Sequence, residues 1–565
     1  MNDYTRWLNQ PLDAELREEL ESVKNDPDAL HDRFYKDLEF GTGGLRGVIG
    51  AGTNRMNIYT VRRATQGICD MLRQKYSGGH VAVGYDTRKN SALFAREVAR
   101  VYAANGFTVH LADAEMPTPV VSYAVRSLGC VSGVMITASH NPAKYNGYKA
   151  YGADGGQMTL EDSERAMACI QKVDLFDGPK LADFDEARRD GRIVMIGKEL
   201  FDEYVARVLR EQMRPELDKS GMKIVYTPLH GAGNRYFRAA LAAAGYRSVS
   251  VVPEQELPDP AFTTCPYPNP EIREALDLAI AQAEREGADL VLATDPDSDR
   301  LGAAVRTGND FRVLTGNEIG GLLLEYICET RTALGTMPKN PVAVDTIVTT
   351  DIAKAICKRY GVELRQTLTG FKFIGEQLEE LAQVGEADRY IFGFEESFSF
   401  LVGTHVRDKD AVSSGLVFAE MAAWHASQGR SLADLIERQY RDYGVYLNRQ
   451  QVFEFDGEAG AKKMASLMDE LRALPSEILG EPVVEFCDYA AGTIRDAKTN
   501  AVRPTGLPKS NVVGFNLADG CGLMARPSGT EPKIRLYFHA VGETPEKAEE
   551  KLRALTAEIV RMLGL

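Results

Sequence analysis

Three times in succession the chain alternates short apolar runs with longer helical stretches, and this alternation narrows what it can fold into. The first set of runs is Val81–Asp86, Val109–Asp113 and Val134–Thr137. The second is Ile224–Tyr226, Val249–Val252 and Leu290–Ala293, and the third is Val342–Val344, Glu363–Arg365 and Tyr390–Phe392. Helical stretches such as Ser91–Ala104, Asn234–Ala244, Glu271–Glu286 and Asp351–Tyr360 lie between them. Continuously apolar strands are buried on both faces, as in parallel sheets covered by crossover helices. Three β-α-β-α-β runs without residue-level identity predict three structurally similar α/β units. Beyond them the pattern changes to short strand-like pieces, Gln451–Phe455 and Ile534–His539, and a closing helix. That helix has Thr544 as N-cap, Pro545 as first helical residue, and Ala548, Leu552, Leu555, Ile559 and Leu563 on one apolar face. It closes a fourth, α+β domain. Residues 1–40 read as an acidic helical lead-in with Trp7, Leu16, Leu20, Val23 and Leu30 spaced along it.

A length of 565 residues accommodates about three to five domains. The expected division is 1–205, 206–306, 307–445 and 446–565, with no low-complexity linker, so that the domains pack together. A composition of 44% hydrophobic and 26% charged residues excludes a disordered polymer, a collagen and a small disulfide scaffold. A net charge of −15 argues against nucleic acid or an anionic membrane as partner. Any bound anion must be held by locally placed cations and backbone N–H groups. The eight cysteines include no CxxC and no zinc-like grouping, and read as reduced thiols of a cytoplasmic protein. The start of the chain carries acid early and lacks an apolar core, unlike a signal peptide. No apolar run reaches the roughly 18–20 residues that span a bilayer.

Ligands of parallel α/β sheets gather at the carboxyl ends of strands, and polar clusters follow the third strand of each set. Asp295, Asp297 and Asp299 alternate in Asp295-Pro296-Asp297-Ser298-Asp299-Arg300. Carboxylates at that spacing can converge on one hard cation, and Mg²⁺ bound together with a phosphate suits three of them. Arg300 can offset the residual negative charge. An acidic surface turn or a phosphatase of the DxD type fits the same residues. Ser139, in Thr137-Ala138-Ser139-His140-Asn141-Pro142, can be a nucleophile or phosphate carrier, with Lys149 able to reach back, although for an isolated Ser-His pair a turn closed by Asn141-Pro142 is the favoured reading. No partner carboxylate for a serine-hydrolase triad is recognisable, and adjacency in sequence does not place the His140 ring on the hydroxyl. Arg526-Pro527-Ser528-Gly529-Thr530-Glu531-Pro532-Lys533 reads as a phosphate cradle. Gly41–Gly47 is a glycine-rich loop carrying Arg46.

In this order, TASHNP, DPDSDR, GFEES and RPSGTEPK resemble the α-D-phosphohexomutase superfamily, and most closely its bacterial α-phosphoglucomutases. The resemblance runs from about Gly41 to the C-terminal helix. It implies three similar α/β domains with mixed parallel sheets plus a C-terminal α+β domain around a central cleft. By that resemblance, Ser139 carries the catalytic phosphate, and Asp295, Asp297 and Asp299 bind Mg²⁺ with a phosphoserine oxygen from Ser139. Glu395 and Ser397 hold sugar hydroxyls, while Arg526, Ser528, Gly529 and Thr530 hold the non-reacting phosphate. Thr369-Gly370-Phe371-Lys372 resembles a second substrate loop. Arg46 and Lys149 match positions near the transferring phosphoryl group, with His140 and Arg300 beside it.

Some relatives place a His four residues after the first Glu of the sugar loop, where this chain has Ser399. Lys409 is the nearest replacement for a proton-transfer group. The implied reaction interconverts glucose 1-phosphate and glucose 6-phosphate through glucose 1,6-bisphosphate. A phosphomannomutase or phosphopentomutase remains open in the same class. A metal-dependent sugar phosphatase and a catalytically silent sugar-phosphate sensor are the readings from other classes. The expected partners are sugar phosphates alone, in a monomer or small homo-oligomer.

Overall fold

In the computed structural model, which describes residues 3–41, 43–308, 310–455, 457–473, 476–528 and 533–565, the chain divides into two compact units. The first contains residues up to Leu314 together with Gly375–Asp388 and Phe398–Trp424. The second contains Thr315–Ile374, Arg389–Ser397 and His425–Leu565.

The first unit holds two α/β sheets. One uses β1 (Gly44–Val48), β2 (Gly79–Tyr85), β3 (Phe107–Ala112), β4 (Ser132–Ile136), β5 (Tyr145–Tyr151) and β6 (Ile193–Ile196), in the order β1-β5-β4-β2-β3-β6. The predicted apolar runs are its parallel centre, β4-β2-β3. The stretch around Arg46, expected as a loop, is instead strand β1 from Gly44 onward, antiparallel to β5. Gly44 answers to close packing of backbones: a Cβ there would lie 2.0 Å from the Tyr148 carbonyl oxygen on β5. The other sheet uses β7 (Lys223–Thr227), β8 (Ser248–Val251), β9 (Leu290–Thr294), β10 (Leu301–Thr307) and β11 (Asp310–Val313), in the order β11-β10-β9-β7-β8. Every residue of β4 and of β9 is buried. The lead-in forms three short helices, Asp3–Leu8, Ala14–Ser22 and Pro27–Phe34. Trp7 anchors them, its ring 5.4 Å from Tyr59 and 5.3 Å from Phe176 in edge-on contacts.

In the second unit β12 (Val342–Thr346), β13 (Glu363–Thr367) and β14 (Tyr390–Glu395) run parallel in the order β13-β12-β14. The short strand β15 (Ser399–Leu401) belongs to the first unit. The C-terminal domain is an antiparallel sheet. Its longest pair is β16 (Val445–Glu454), with β17 to β22 following at Glu477–Ile478, Glu481–Asp488, Thr493–Asp496, Val502–Pro504, Val513–Leu517 and Gly522–Pro527, and β23 (Lys533–Gly542) beside β16. The closing helix Pro545–Met562 starts as predicted, with Thr544 accepting from the Lys547 N–H. Ala548 is buried, and Leu552, Leu555, Ile559 and Leu563 share a core with Phe515, Leu523 and Leu536.

Among the described residues, no helix is long and apolar enough to cross a membrane.

Candidate active site

Strand β9 delivers its carboxyl end into a tight turn that brings three carboxylates together. Asp295, Asp297 and Asp299 are all fully buried, and one oxygen from each lies within 4.8 Å of the others. The turn closes on Asp295, whose Oδ1 accepts the N–H groups of Asp299 and Arg300, both at 3.0 Å. Ser298, between the last two aspartates, sits in the left-handed region at φ 53°. From the segment after β3, Thr118 fixes Asp297, its Oγ1 donating to Oδ2 at 2.7 Å and its N–H to the backbone carbonyl at 2.8 Å.

Strand β4 points its own carboxyl end at the same place. Ser139 is buried, takes φ 51°, and donates from Oγ to Asp295 Oδ2 at 2.6 Å. The His140 ring, which adjacency in sequence did not place on the hydroxyl, has Nδ1 3.1 Å from Ser139 Oγ. Burial, Arg300 and Arg46 hold that imidazole well below its usual pKa. Arg46 reaches the loop through Asn141 Oδ1 at 3.1 Å. Arg300 pairs with Glu271.

Two ammonium groups meet the aspartates. Lys149, on β5, bridges Asp297 and Asp299 with both oxygens at 2.7 Å. Lys409 lies 3.0 Å from Asp299 Oδ2. Burial lowers the pKa of Lys149, but Asp297 and Asp299 reverse this and raise it above the usual lysine range. The triad is correspondingly split. Burial, Asp297 and Asp299 push Asp295 well above the carboxylate range. Burial acts the same way on Asp299, yet Lys149, Lys409 and Arg300 pull it well below.

Lys409 is held from behind by a buried cluster. Asp408 accepts from Tyr151 at 3.0 Å and Gln157 at 2.9 Å. Asp410 accepts from Tyr204 and from the N–H of Val412, and lies 2.8 Å from His405 Nε2, with Glu211 3.6 Å from Nδ1. Burial disfavours the imidazolium of His405, but Asp410 and Glu211 more than offset it and raise the pKa. A raised histidine pKa contributes stability that is full below about 6.5, the unfolded value, and is lost as pH rises through the folded one. Unfolding temperature is therefore expected to decline on the alkaline side of neutrality in the wild type. His405→Gln should melt lower near pH 6 and show a flatter decline; an unchanged slope would refute the charged-histidine assignment.

In the second unit, Glu395 ends β14, is buried, and accepts the Gly370 N–H at 2.7 Å. Gly370 has φ 120°, and a side chain there would be strained. Thr369 and Ser397 beside them are half-buried. Arg526 lies on strand Gly522–Pro527, and the Ser528 N–H donates to the Lys533 carbonyl at 2.8 Å. Gly529 and Thr530 lie outside the described residues.

The aspartate turn fits a divalent cation. Three hard oxygens converge, and Oδ1 of Asp297 and of Asp299 is buried without a hydrogen-bond partner. Asp295, Asp297 and Asp299 could hold Mg²⁺ beside Ser139, where the ion would neutralise phosphoryl oxygens.

Asp86, Arg88 and Thr118 also meet these loops, although no motif in the sequence marks them. Asp86-Thr87-Arg88 directly follows β2, and a charged pair at the carboxyl end of a buried strand was the available signal.

Four profiles of the phosphoglucomutase/phosphomannomutase family match the chain in order. The alpha/beta/alpha domains I, II and III match residues 37–176, 202–308 and 315–443, and the C-terminal domain matches 488–557. The chain is similar to a phosphoglucomutase of Staphylococcus haemolyticus, 34% identical over 509 residues that cover 89% of this chain and 90% of the relative. A phosphoglucomutase of Staphylococcus aureus strain MW2 is 34% identical over 525 residues, 92% of this chain and 93% of that one. In fold, it is similar to the open form of pp63/parafusin, a phosphoglucomutase of Paramecium, with TM-score 0.70 at 19% identity over 94% and 96% of the two chains. A phosphoglucomutase/phosphomannomutase family protein of Burkholderia thailandensis gives TM-score 0.66 at 17% identity over 93% and 97%.

Proposed function

Starting from a chain that belongs to the phosphoglucomutase/phosphomannomutase family, we propose that it is a phosphoserine hexose-phosphate mutase interconverting glucose 1-phosphate and glucose 6-phosphate. The observation that carries this reading is Ser139 Oγ hydrogen-bonded to a buried carboxylate triad. In the proposed cycle, phosphorylated Ser139 donates its phosphoryl group to the free hydroxyl of the sugar phosphate. The serine P–O bond breaks, a sugar P–O bond forms, and the hydroxyl proton leaves to a nearby base. The resulting glucose 1,6-bisphosphate reorients and returns its other phosphoryl group to Ser139. Phosphoryl transfer needs mainly positioning and charge neutralisation, which Mg²⁺, Lys149, Lys409, Arg46 and Arg300 would provide. His140 lies within reach of the serine oxygen to move a proton. Glu395 and Ser397 are proposed to read sugar hydroxyls, with Thr369 and Gly370 as a second substrate loop. Arg526, Ser528, Gly529 and Thr530 are proposed to hold the phosphate not being transferred. The four-part division at 205/206, 306/307 and 445/446 is retained as part of this reading.

A coupled assay with glucose, mannose and ribose 1-phosphates, Mg²⁺ and a trace of the matching bisphosphate tests it. Glucose 1-phosphate should give the highest kcat/KM. Preference for mannose or ribose phosphate would reassign the substrate, and stoichiometric release of inorganic phosphate would make the protein a phosphatase. Two variants separate the proposed recognition loops. Arg526→Ala should impair both directions about equally for all three sugars. Glu395→Ala should alter the ranking among them by about tenfold or more, because a lost polar contact in a buried site changes discrimination. Glu395→Gln keeps an acceptor for Gly370 and should retain more of the ranking.

A further inference from the structure

Arg88 has its side chain entirely inside the first unit, with no exposure to solvent. Its guanidinium is surrounded by carbonyl oxygens of one loop. Nη1 donates to Pro142 at 3.0 Å and to Tyr145 at 3.2 Å, and Nη2 donates to Ser139 and to Asn141. Asp86 is its counter-charge, 3.3 Å from Nε, and the face of Phe262 covers it with the ring centre 4.9 Å away. Burying a guanidinium is costly unless its donors are met. Here the Nη donors are met by backbone carbonyls of the loop, while Nε is buried beside Asp86 without a hydrogen bond.

The same pair controls both backbone groups of Ser139. The carbonyl is held by Arg88 directly. The N–H donates to Thr137 Oγ1 at 2.8 Å, and that hydroxyl donates to Asp86 Oδ2 at 2.6 Å. Asp86 is itself fixed by Ser91 Oγ at 2.7 Å and by the Arg88 N–H at 3.0 Å. A serine at φ 51° is in a region that only its surroundings can enforce. We propose that Arg88, together with Asp86, is the positioning group for the nucleophile, holding Ser139 in the left-handed turn that aims its Oγ at Asp295. The kinetic part of this proposal rests on the mutase reading; the structural part does not.

Two variants and two measurements test it. Arg88→Lys keeps a positive charge but loses the planar fork that spans four carbonyls. Thr137→Val is nearly isosteric and cuts only the link from Asp86 to the Ser139 N–H, so it decides the matter if the lysine variant does not fold. Hydrogen exchange of the peptide covering residues 137–146 should speed up about tenfold or more in either variant, while β2 and β9 keep their protection. Turnover of glucose 1-phosphate should fall about 100-fold in Arg88→Lys and about tenfold in Thr137→Val, with KM changed by no more than about threefold. A residue that merely supports the fold would loosen all three segments together and leave the turnover of the folded fraction unchanged. Unchanged exchange at 137–146, or faster exchange with wild-type kcat, overturns the proposal. If the wild-type protein isomerises no sugar phosphate, the mutase reading fails, and the exchange data still decide whether Arg88 holds the loop.

Discussion

Ser139→Ala is expected to lower sugar-phosphate isomerisation on the order of 10⁴- to 10⁶-fold, the scale of loss when a covalent nucleophile is removed. Two other described hydroxyls lie at the aspartate turn: Thr118 Oγ1 is engaged by Asp297 Oδ2 at 2.7 Å, and Ser298 Oγ is buried inside a turn closed by backbone hydrogen bonds. Intact mass should show one phosphate on active wild-type protein, mapped to Ser139, and none on the variant. Ser139→Gly supplies an internal control. Both variants lack the nucleophile, but glycine adopts the positive φ of this position without the penalty alanine carries. The glycine variant should therefore be as inactive as the alanine variant and unfold at a higher temperature. Near wild-type turnover in either would end the phosphoserine mechanism.

What the sequence revealed and what it hid follow from the nature of the contacts. The three alternating aspartates were legible because a turn that could hold a cation needs its own side chains as ligands. The apolar runs marked β4 and β9 because burial on both faces leaves no room for polar residues, whereas β8 and β13 are partly exposed and carry polar ones. For Arg88 the sequence offered only the charged pair after β2, because the side chain grips main-chain carbonyls, and every residue supplies one. His140 was undervalued because neighbouring side chains usually diverge; the positive φ of Ser139 turns the pair so that ring and hydroxyl meet at 3.1 Å. Lys149 was read as able to reach back toward Ser139; its position on β5, paired to β1 and β4, sets it against Asp297 and Asp299 of the same aspartate turn. The Gly44–Val48 segment looked like a loop because glycine usually signals turns, whereas here it admits a closely packed neighbouring strand.

Asp295→Asn is expected to move stability and activity in opposite directions. Asparagine keeps a carbonyl oxygen for the N–H groups of Asp299 and Arg300, and its amide can donate to Ser139 Oγ, so the three hydrogen bonds of Asp295 survive in altered polarity. Only charge is removed. Burial, Asp297 and Asp299 raise the pKa of Asp295 in the folded protein. An ionised Asp295 therefore costs stability, and the cost grows as pH rises from the unfolded value of about 3.9 to the folded one. At neutral pH in excess chelator the variant should unfold about 2 °C or more above wild type, corresponding to about 1 kcal/mol. Added Mg²⁺ should raise the wild-type unfolding temperature by mass action and raise that of the variant much less, since one of three oxygen ligands has lost its charge. Turnover should fall about 10²- to 10³-fold, as when one transition-state charge stabiliser is removed. Chelated wild-type protein should be inactive and recover on adding Mg²⁺. A variant less stable than wild type in chelator would contradict the like-charge repulsion argued for this turn. Equal Mg²⁺-induced stabilisation of both proteins would take Asp295 out of the cation site, because a ligand that holds the ion cannot lose its charge without loosening that hold.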